Sequence, residues 1–233
     1  MTESERLVTD TLLEEPRAFE LDGVKFAIWP ETLGKSLMVR RIVDGIGFKA
    51  LAADTARSVL EAVGRERSRC AELVAVCTLK GREALASADV IAQRAETFAA
   101  TDDATLAELV TACLMSNAEA TVREVGKATG IERDRERMQR VTAAKESRGT
   151  YTFGGRTIYG GLIDMACERY GWTLDYVLWG ITLANLRLML ADQLTSIYLS
   201  DKEQRRCHIS NDRDIINADD PANNERIMRM FGG

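Results

Sequence analysis

Residues 17–35 read RAFELDGVKFAIWPETLGK, and within them the chain changes from one periodicity to another. Phe19 and Leu21, then Val24, Phe26 and Ile28, alternate around Asp22-Gly23. A period of two marks strands, and Asp-Gly between two such runs marks a hairpin turn, because both residues tolerate positive φ. The spacing predicts paired strands at 17–21 and 24–29 joined by a type I′ turn. Pro30 ends the second strand, since it has no N–H for a ladder. Pro30-Glu31-Thr32 then opens a helix whose apolar positions are Leu33, Leu37, Val39, Ile42 and Ile46, with Gly45 and Gly47 as its stop. A two-stranded hairpin is marginal alone, so Phe19, Leu21, Phe26 and Ile28 must pack on nearby helices or pair with further strands.

On either side of this stretch the pattern is helical. Residues 1–15 read as a short amphipathic helix or a loose arm. Residues 49–148 are Ala-rich and charged with no strand signal. Leu73, Val76 and Cys77 mark one helix; Ile91, Ala95 and Phe98 mark a second, with Ser87 as its cap. Leu106, Leu109, Val110, Cys113 and Leu114 fall at i, i+3, i+4, i+7 and i+8 behind an Asp102 or Asp103 cap. Gly126 and Gly130 flank a break. Ile131 to Arg148 alternates in charge sign and reads as the solvated face of an exposed helix.

A second punctuated region, Tyr151-Thr-Phe153-Gly154-Gly155-Arg-Thr-Ile158-Tyr159, reads as a hairpin turning at Gly-Gly and able to pair with the first. Leu162, Ile163, Ala166, Cys167 and Tyr170 follow on one helical face, ended by Gly171. A short helix after Thr173 carries Tyr176, Val177 and Trp179 and stops at Gly180. A longer one is expected from about Thr182 to Leu199, burying Leu186, Leu190, Leu194 and Ile197 along a stripe that includes Met189 and Tyr198, with Arg187 and Asp192 exposed. Beyond Arg206 the Asn- and Asp-rich run reads as a mobile linker, after which Ile227, Met230 and Phe231 recover helical spacing.

The chain therefore reads as mainly α (α+β), a helical protein with two short β-hairpins near residues 17–29 and 150–159. Four regions are expected: 1–48, hairpin plus helix; 49–148, central helices; 149–207, C-terminal helices with a hairpin; and 208–233, a flexible tail with a short terminal helix. The hairpin-then-helices order at 17–46 and 150–199 has the look of a duplication, although the residues themselves differ.

Composition narrows the function. The 233 residues carry 31 Lys+Arg against 36 Asp+Glu, a net charge of −5 that works against broad nucleic-acid affinity. Only three prolines occur, which favours long helices. The five cysteines show no ligand spacing; Cys70, Cys77, Cys113 and Cys167 lie among apolar residues and read as buried reduced thiols, which suits a reducing compartment. The acidic opening residues do not resemble a signal peptide, and no window has the ~18 apolar residues that a membrane span needs. A cytoplasmic location is the expectation.

Chemistry is hard to find. The single histidine, His208, sits beside Cys207 with no spacing for a metal site or a triad. Neither GxGxxG nor GxxxxGK[ST] is present, and Asp212-Arg213-Asp214 lacks the rest of a calcium loop. A helix-turn-helix at 162–179 would offer no Arg, Lys, Asn or Gln to a groove. The expectation is a non-enzyme with no metal and no cofactor. What stands out is aromatic: Tyr170, Trp172, Tyr176 and Trp179 fall within ten residues. They read either as plugs of the C-terminal core or as interface anchors. Trp172, Tyr176 and Trp179 are therefore candidate partner-binding residues. So are Ile227, Met228, Met230 and Phe231, as the sticky face of a tethered docking helix at 222–231 capped by Asn223 or Asn224.

The segment IYGGLIDMACERYGWTLDYVLWGITLANLRLMLAD at 158–192 resembles the C-terminal helical part of phage tail assembly chaperones. FELDGVKFAIWPETLGKSLMV at 19–39, with Thr32-Leu33-Gly34-Lys35 in place, is similar to the start of the same group. Together the two cover about a quarter of the chain. The resemblance implies a non-catalytic factor made in the host cytoplasm that coats the tape measure protein, keeps it soluble and recruits tail tube subunits. It implies no catalytic residues. The long charged middle and the short terminal helix depart from the pattern. A virion structural protein, such as a head–tail connector component, is the alternative, and a small regulatory or DNA-binding protein comes after it; homo-oligomerisation is compatible with each.

Overall fold

The structure is a computed structural model and describes residues 2–48, 55–116, 118–145, 157–191, 197 and 199–207. It divides into two compact units: Met1–Arg133 with Thr152–Leu194, and Asp134–Tyr151 with Thr195–Gly233.

In the first unit, α1 (Glu3–Leu12) resolves the choice left open for residues 1–15. The Thr2 hydroxyl accepts from the Glu5 N–H at 3.2 Å and the Glu5 carboxylate accepts from the Thr2 N–H at 2.7 Å, a reciprocal capping box. The hairpin forms as expected: β1 (Arg17–Leu21) pairs antiparallel with β2 (Val24–Ile28), Leu21 opposite Val24 and Arg17 opposite Ile28. Asp22 and Gly23 both have positive φ, 50° and 77°, as a type I′ turn requires. Its partner is a helix face: Phe19 stacks on Phe26 at 5.6 Å, and Phe26 meets Phe98 at 5.1 Å. Among the described residues the sheet has these two strands alone.

Thr32 caps α2 (Leu33–Ile46), and Gly47, at φ 64°, ends it. Gly45 does not stop the helix; it lies within the last turn, against the Arg69 side chain. Next come α3 (Thr55–Thr78), α4 (Arg82–Ala86), α5 (Ala88–Ala99, capped by Ser87), α6 (Asp103–Met115, capped by Asp102) and α7 (Ala118–Thr129). Gly126 likewise sits inside α7, while Gly130 makes the break at φ 85°. α3 bends at Glu66 (φ −128°, ψ 43°). On either side of the bend, Arg65 donates to the Ile46 carbonyl at 2.9 Å and Arg67 to the Ala99 carbonyl at 3.0 Å. The two arginines satisfy the open C-terminal carbonyls of α2 and α5. The main core surrounds α3: Val59, Val63, Cys70, Leu73 and Val74 pack with Phe98 of α5 and Leu106 and Val110 of α6.

The second core of this unit gathers Leu33 and Ala118 with residues of α9 (Ile158–Tyr170), α10 (Leu174–Trp179) and α11 (Leu183–Ala191). Ile158 and Tyr159, expected to close a second hairpin, instead open α9 behind the Thr157 cap; residues 150–156 of that hairpin lie outside the described residues. Leu186 is fully buried, whereas Leu190 is half-buried and Met189 exposed.

The mixed-charge run forms α8 (Ile131–Ala144), the greater part of which belongs to the second unit and which buries none of its residues. The helix expected to continue to Leu199 does not: Ile197 and Leu199 are non-helical, and α12 (Asp201–Cys207) starts afresh. The Ser200 N–H and hydroxyl both donate to the Glu203 carboxylate, at 2.9 and 2.8 Å, which fixes the new start. The Cys207 thiol lies 3.9 Å from the Arg140 carbonyl. Leu194, Asp192, Tyr198 and His208 lie outside the described residues, as does the expected tail helix.

Candidate functional site

The helix opening at Thr32 carries a lysine into the protein interior. Lys35 is 2% exposed, and its ammonium donates to three carbonyls: Trp29 at 3.2 Å, Cys77 at 2.7 Å and Leu79 at 3.1 Å. An ammonium has three hydrogens, so its hydrogen-bonding capacity is filled. It thereby seals the C-terminal end of α3 against the end of β2, where the Trp29 N–H also donates to Cys77 at 3.1 Å. Burial pushes the Lys35 ammonium below its ordinary value, against the pull of Cys77, Glu31 and Cys113.

Glu31, one residue before the cap, is buried as well. Burial raises its carboxyl above the usual range, opposed by the Ala118 N–H, the Lys35 charge, the Ser36 hydroxyl and Arg187. The Glu31 backbone carbonyl accepts from the Leu183 N–H at 2.7 Å. Glu14, at φ 57°, closes the node: its Oε1 accepts from the Thr182 N–H at 3.1 Å and from Asn185 Nδ2 at 3.2 Å. Burial lifts Cys70 to about 11, and the Cys77 thiol together with burial raises Cys113.

Around this node lies a cleft of about 110 Å³ lined by Trp29, Pro30, Lys35, Lys80, Trp179 and Thr182, among others. The Lys80 ammonium sits 4.2 Å over the Trp29 ring. Trp179 lies so tightly on Gly34 that a Cβ there would come within 2.7 Å of the indole.

The other candidate aromatics go elsewhere. Gly171, at φ 65°, reverses the chain after α9 and lets Trp172 stack on Tyr170, centroids 4.6 Å apart. Tyr176 meets Trp172 edge-on at 5.0 Å. Thr173 caps α10 by accepting from the Tyr176 N–H, and Arg82 pairs with Asp175 in its first turn. Val177 points inward and is fully buried; Leu174 and Tyr176 remain 54% and 43% exposed. The result is a shelf of three rings in contact, one pair stacked and one edge-on, on a stretch that also exposes Leu174.

Of the residues expected to bind a partner, then, Trp172 and Tyr176 come together on this shelf, and Trp179 joins Trp29 in the cleft. Ile227, Met228, Met230 and Phe231 lie outside the described residues. Sequence reasoning missed Trp29, Lys80 and Lys35; the Lys80-Gly81 break just after α3 was the available signal for a cleft at that end. Among the described residues no cluster of His, Cys, Asp and Glu is able to hold a metal ion, and no helix is long and apolar enough to cross a membrane. No family model matches the chain, and no curated protein or solved structure matches it significantly.

Proposed function

We propose that this chain is a non-catalytic tail assembly chaperone of a phage, which holds the tape measure protein in solution and brings tail tube subunits to it. The observation that carries the reading is the half-exposed shelf Tyr170–Trp172–Tyr176 with Leu174 at its edge. Large rings with one face open supply contact area at small entropic cost, and Trp and Tyr dominate the binding energy of interfaces.

The two stretches that resemble the chaperone family also meet in space. Gly34, in the Thr32–Lys35 motif, packs under Trp179, and Leu33 shares a core with Val177. The first stretch thus supports the helix that presents the second. The one titratable group driven into the interior of this joint from α2, Lys35, is consumed by backbone carbonyls. That is a structural use of charge and agrees with a holding role.

Co-expression with the tape measure protein of the same phage, followed by affinity capture, tests the reading. The wild-type chain should recover soluble tape measure protein, and Trp172→Ala/Tyr176→Ala should lose about tenfold or more of it, the effect of one hot-spot residue. Finished particles analysed by mass spectrometry should lack the chain. Its presence there would favour the connector reading instead, and undiminished capture by the double variant would remove the shelf from the account.

A further inference from the structure

We propose that the cleft between Trp29 and Trp179 is a binding site for the carboxylate of an acidic side chain presented by a partner polypeptide. The inference stands apart from the assembly reading, since any acidic partner would serve.

Three observations converge on it. The first is charge. Two ammonium groups line the cleft, Lys35 in its wall and Lys80 among its exposed lining residues. Among the described residues neither is joined to a carboxylate by an ion pair. Lys35 acts through its field, because its three hydrogens are already committed to carbonyls; Lys80 is exposed and free to donate directly. The one carboxylate lining the cleft, Glu14, is drawn towards the Thr182 N–H and Asn185 Nδ2.

The second is the polarity of the remaining lining. The Thr32 and Thr182 hydroxyls each accept a backbone N–H, from Lys35 and Asn185 respectively. A hydroxyl keeps one hydrogen to donate, and among the described residues neither hydroxyl is seen donating. A lining rich in donors calls for an acceptor-only ligand, and an ionised carboxylate is that ligand.

The third is size and wall. About 110 Å³ exceeds the share of liquid volume of a few waters and falls short of the ~150 Å³ that holds a benzene ring. It suits the few heavy atoms of an Asp or Glu side chain, whose methylenes would lie against the indoles and Pro30. Burial pushes the Lys35 ammonium below its ordinary value even with Glu31 pulling against it, and a bound carboxylate would add to that pull.

The test uses the whole chain and the side-chain N–H signals of its three tryptophans, with Trp172 as the internal control. N-acetyl-glutamate amide is titrated at low salt against its uncharged isostere, N-acetyl-glutamine amide. The glutamate compound should move the Trp29 and Trp179 signals saturably and leave Trp172 unmoved, and the glutamine compound should leave all three. Raising salt from about 20 to about 200 mM should weaken the response. Lys80→Ala should weaken binding about fivefold, the scale of one exposed charge pair, and Lys80→Arg should preserve it. Equal responses to both compounds, a response confined to Trp172, or no saturable shift would each overturn the proposal.

Discussion

Residues 70–79, CAELVAVCTL, and residues 170–179, YGWTLDYVLW, are both rich in large apolar side chains and meet opposite fates in the same unit. In the first, every residue except Glu72 is buried. In the second, Val177 alone is. The difference lies in the neighbours. The end of α3 is enclosed by α2, α5, α6 and β2, whereas among the described elements α10 rests on α2 and α9, with Leu174 and Tyr176 exposed. Apolar content therefore records a tendency to be covered; on the proposed function, a partner supplies the cover that residues 170–179 lack among the described residues.

The comparison breaks first at the core. Phe98→Ala removes a fully buried ring that holds both strands of the hairpin. It should cost about 3–5 kcal/mol by chemical denaturation, the usual range for such a cavity. A loss near zero would mean that the α3 region is no better packed than the shelf. Next in size is the joint between the regions. Gly34→Ala drives a methyl into the Trp179 ring and should cost about 1–3 kcal/mol, the range for overpacking. The tryptophan emission should shift as the indole moves, and unchanged emission with unchanged stability would mean that Gly34 and Trp179 are not in contact.

Smaller again is the shelf itself. Tyr176→Ala gives up one edge-on aromatic pair and some area, and should lower stability by only about 0.5–1.5 kcal/mol. A loss as large as that of Phe98→Ala would turn the shelf into core and remove the contrast. The last effect is pH-linked. Because burial raises the folded-state carboxyl of Glu31 above its ordinary 4.5, the stability it contributes is fully present below 4.5 and is lost as pH rises through the folded value. Glu31→Gln does not titrate, so the stability of wild type relative to this variant should improve as pH falls from 8 towards 4.5. Parallel pH profiles would refute the raised value.

Much of this architecture was written locally. Asp22-Gly23, the Ser87 and Asp102 caps, Gly47 and Gly171 act through backbone geometry within a few residues, and each is legible without knowing the fold. Tertiary uses were not. Lys35 reads as an ordinary surface charge on an amphipathic helix, and only the converging carbonyls of Trp29, Cys77 and Leu79 make its burial tolerable. Within one aromatic group, Trp172 and Tyr176 were sent to a shelf and Trp179 to a cleft by the turn at Gly171 and the gap at Gly34, and the spacing of the rings does not encode that division. The start of α9 was obscured because Ile158-Tyr159 continues an aromatic alternation while also completing a helical stripe behind Thr157. The Ser200-x-x-Glu203 spacing was visible in the sequence, and its contacts mark where the supposed single helix after Thr182 restarts.

On the proposed function, residues 170–179 meet a partner and residues 70–79 do not. Amide hydrogen exchange on the chain alone, and on the chain with captured tape measure protein, addresses it directly. Exchange across 170–179 should slow in the complex, and that across 70–79, already slow, should stay as it was. Protection gained elsewhere with 170–179 unchanged would contradict the account.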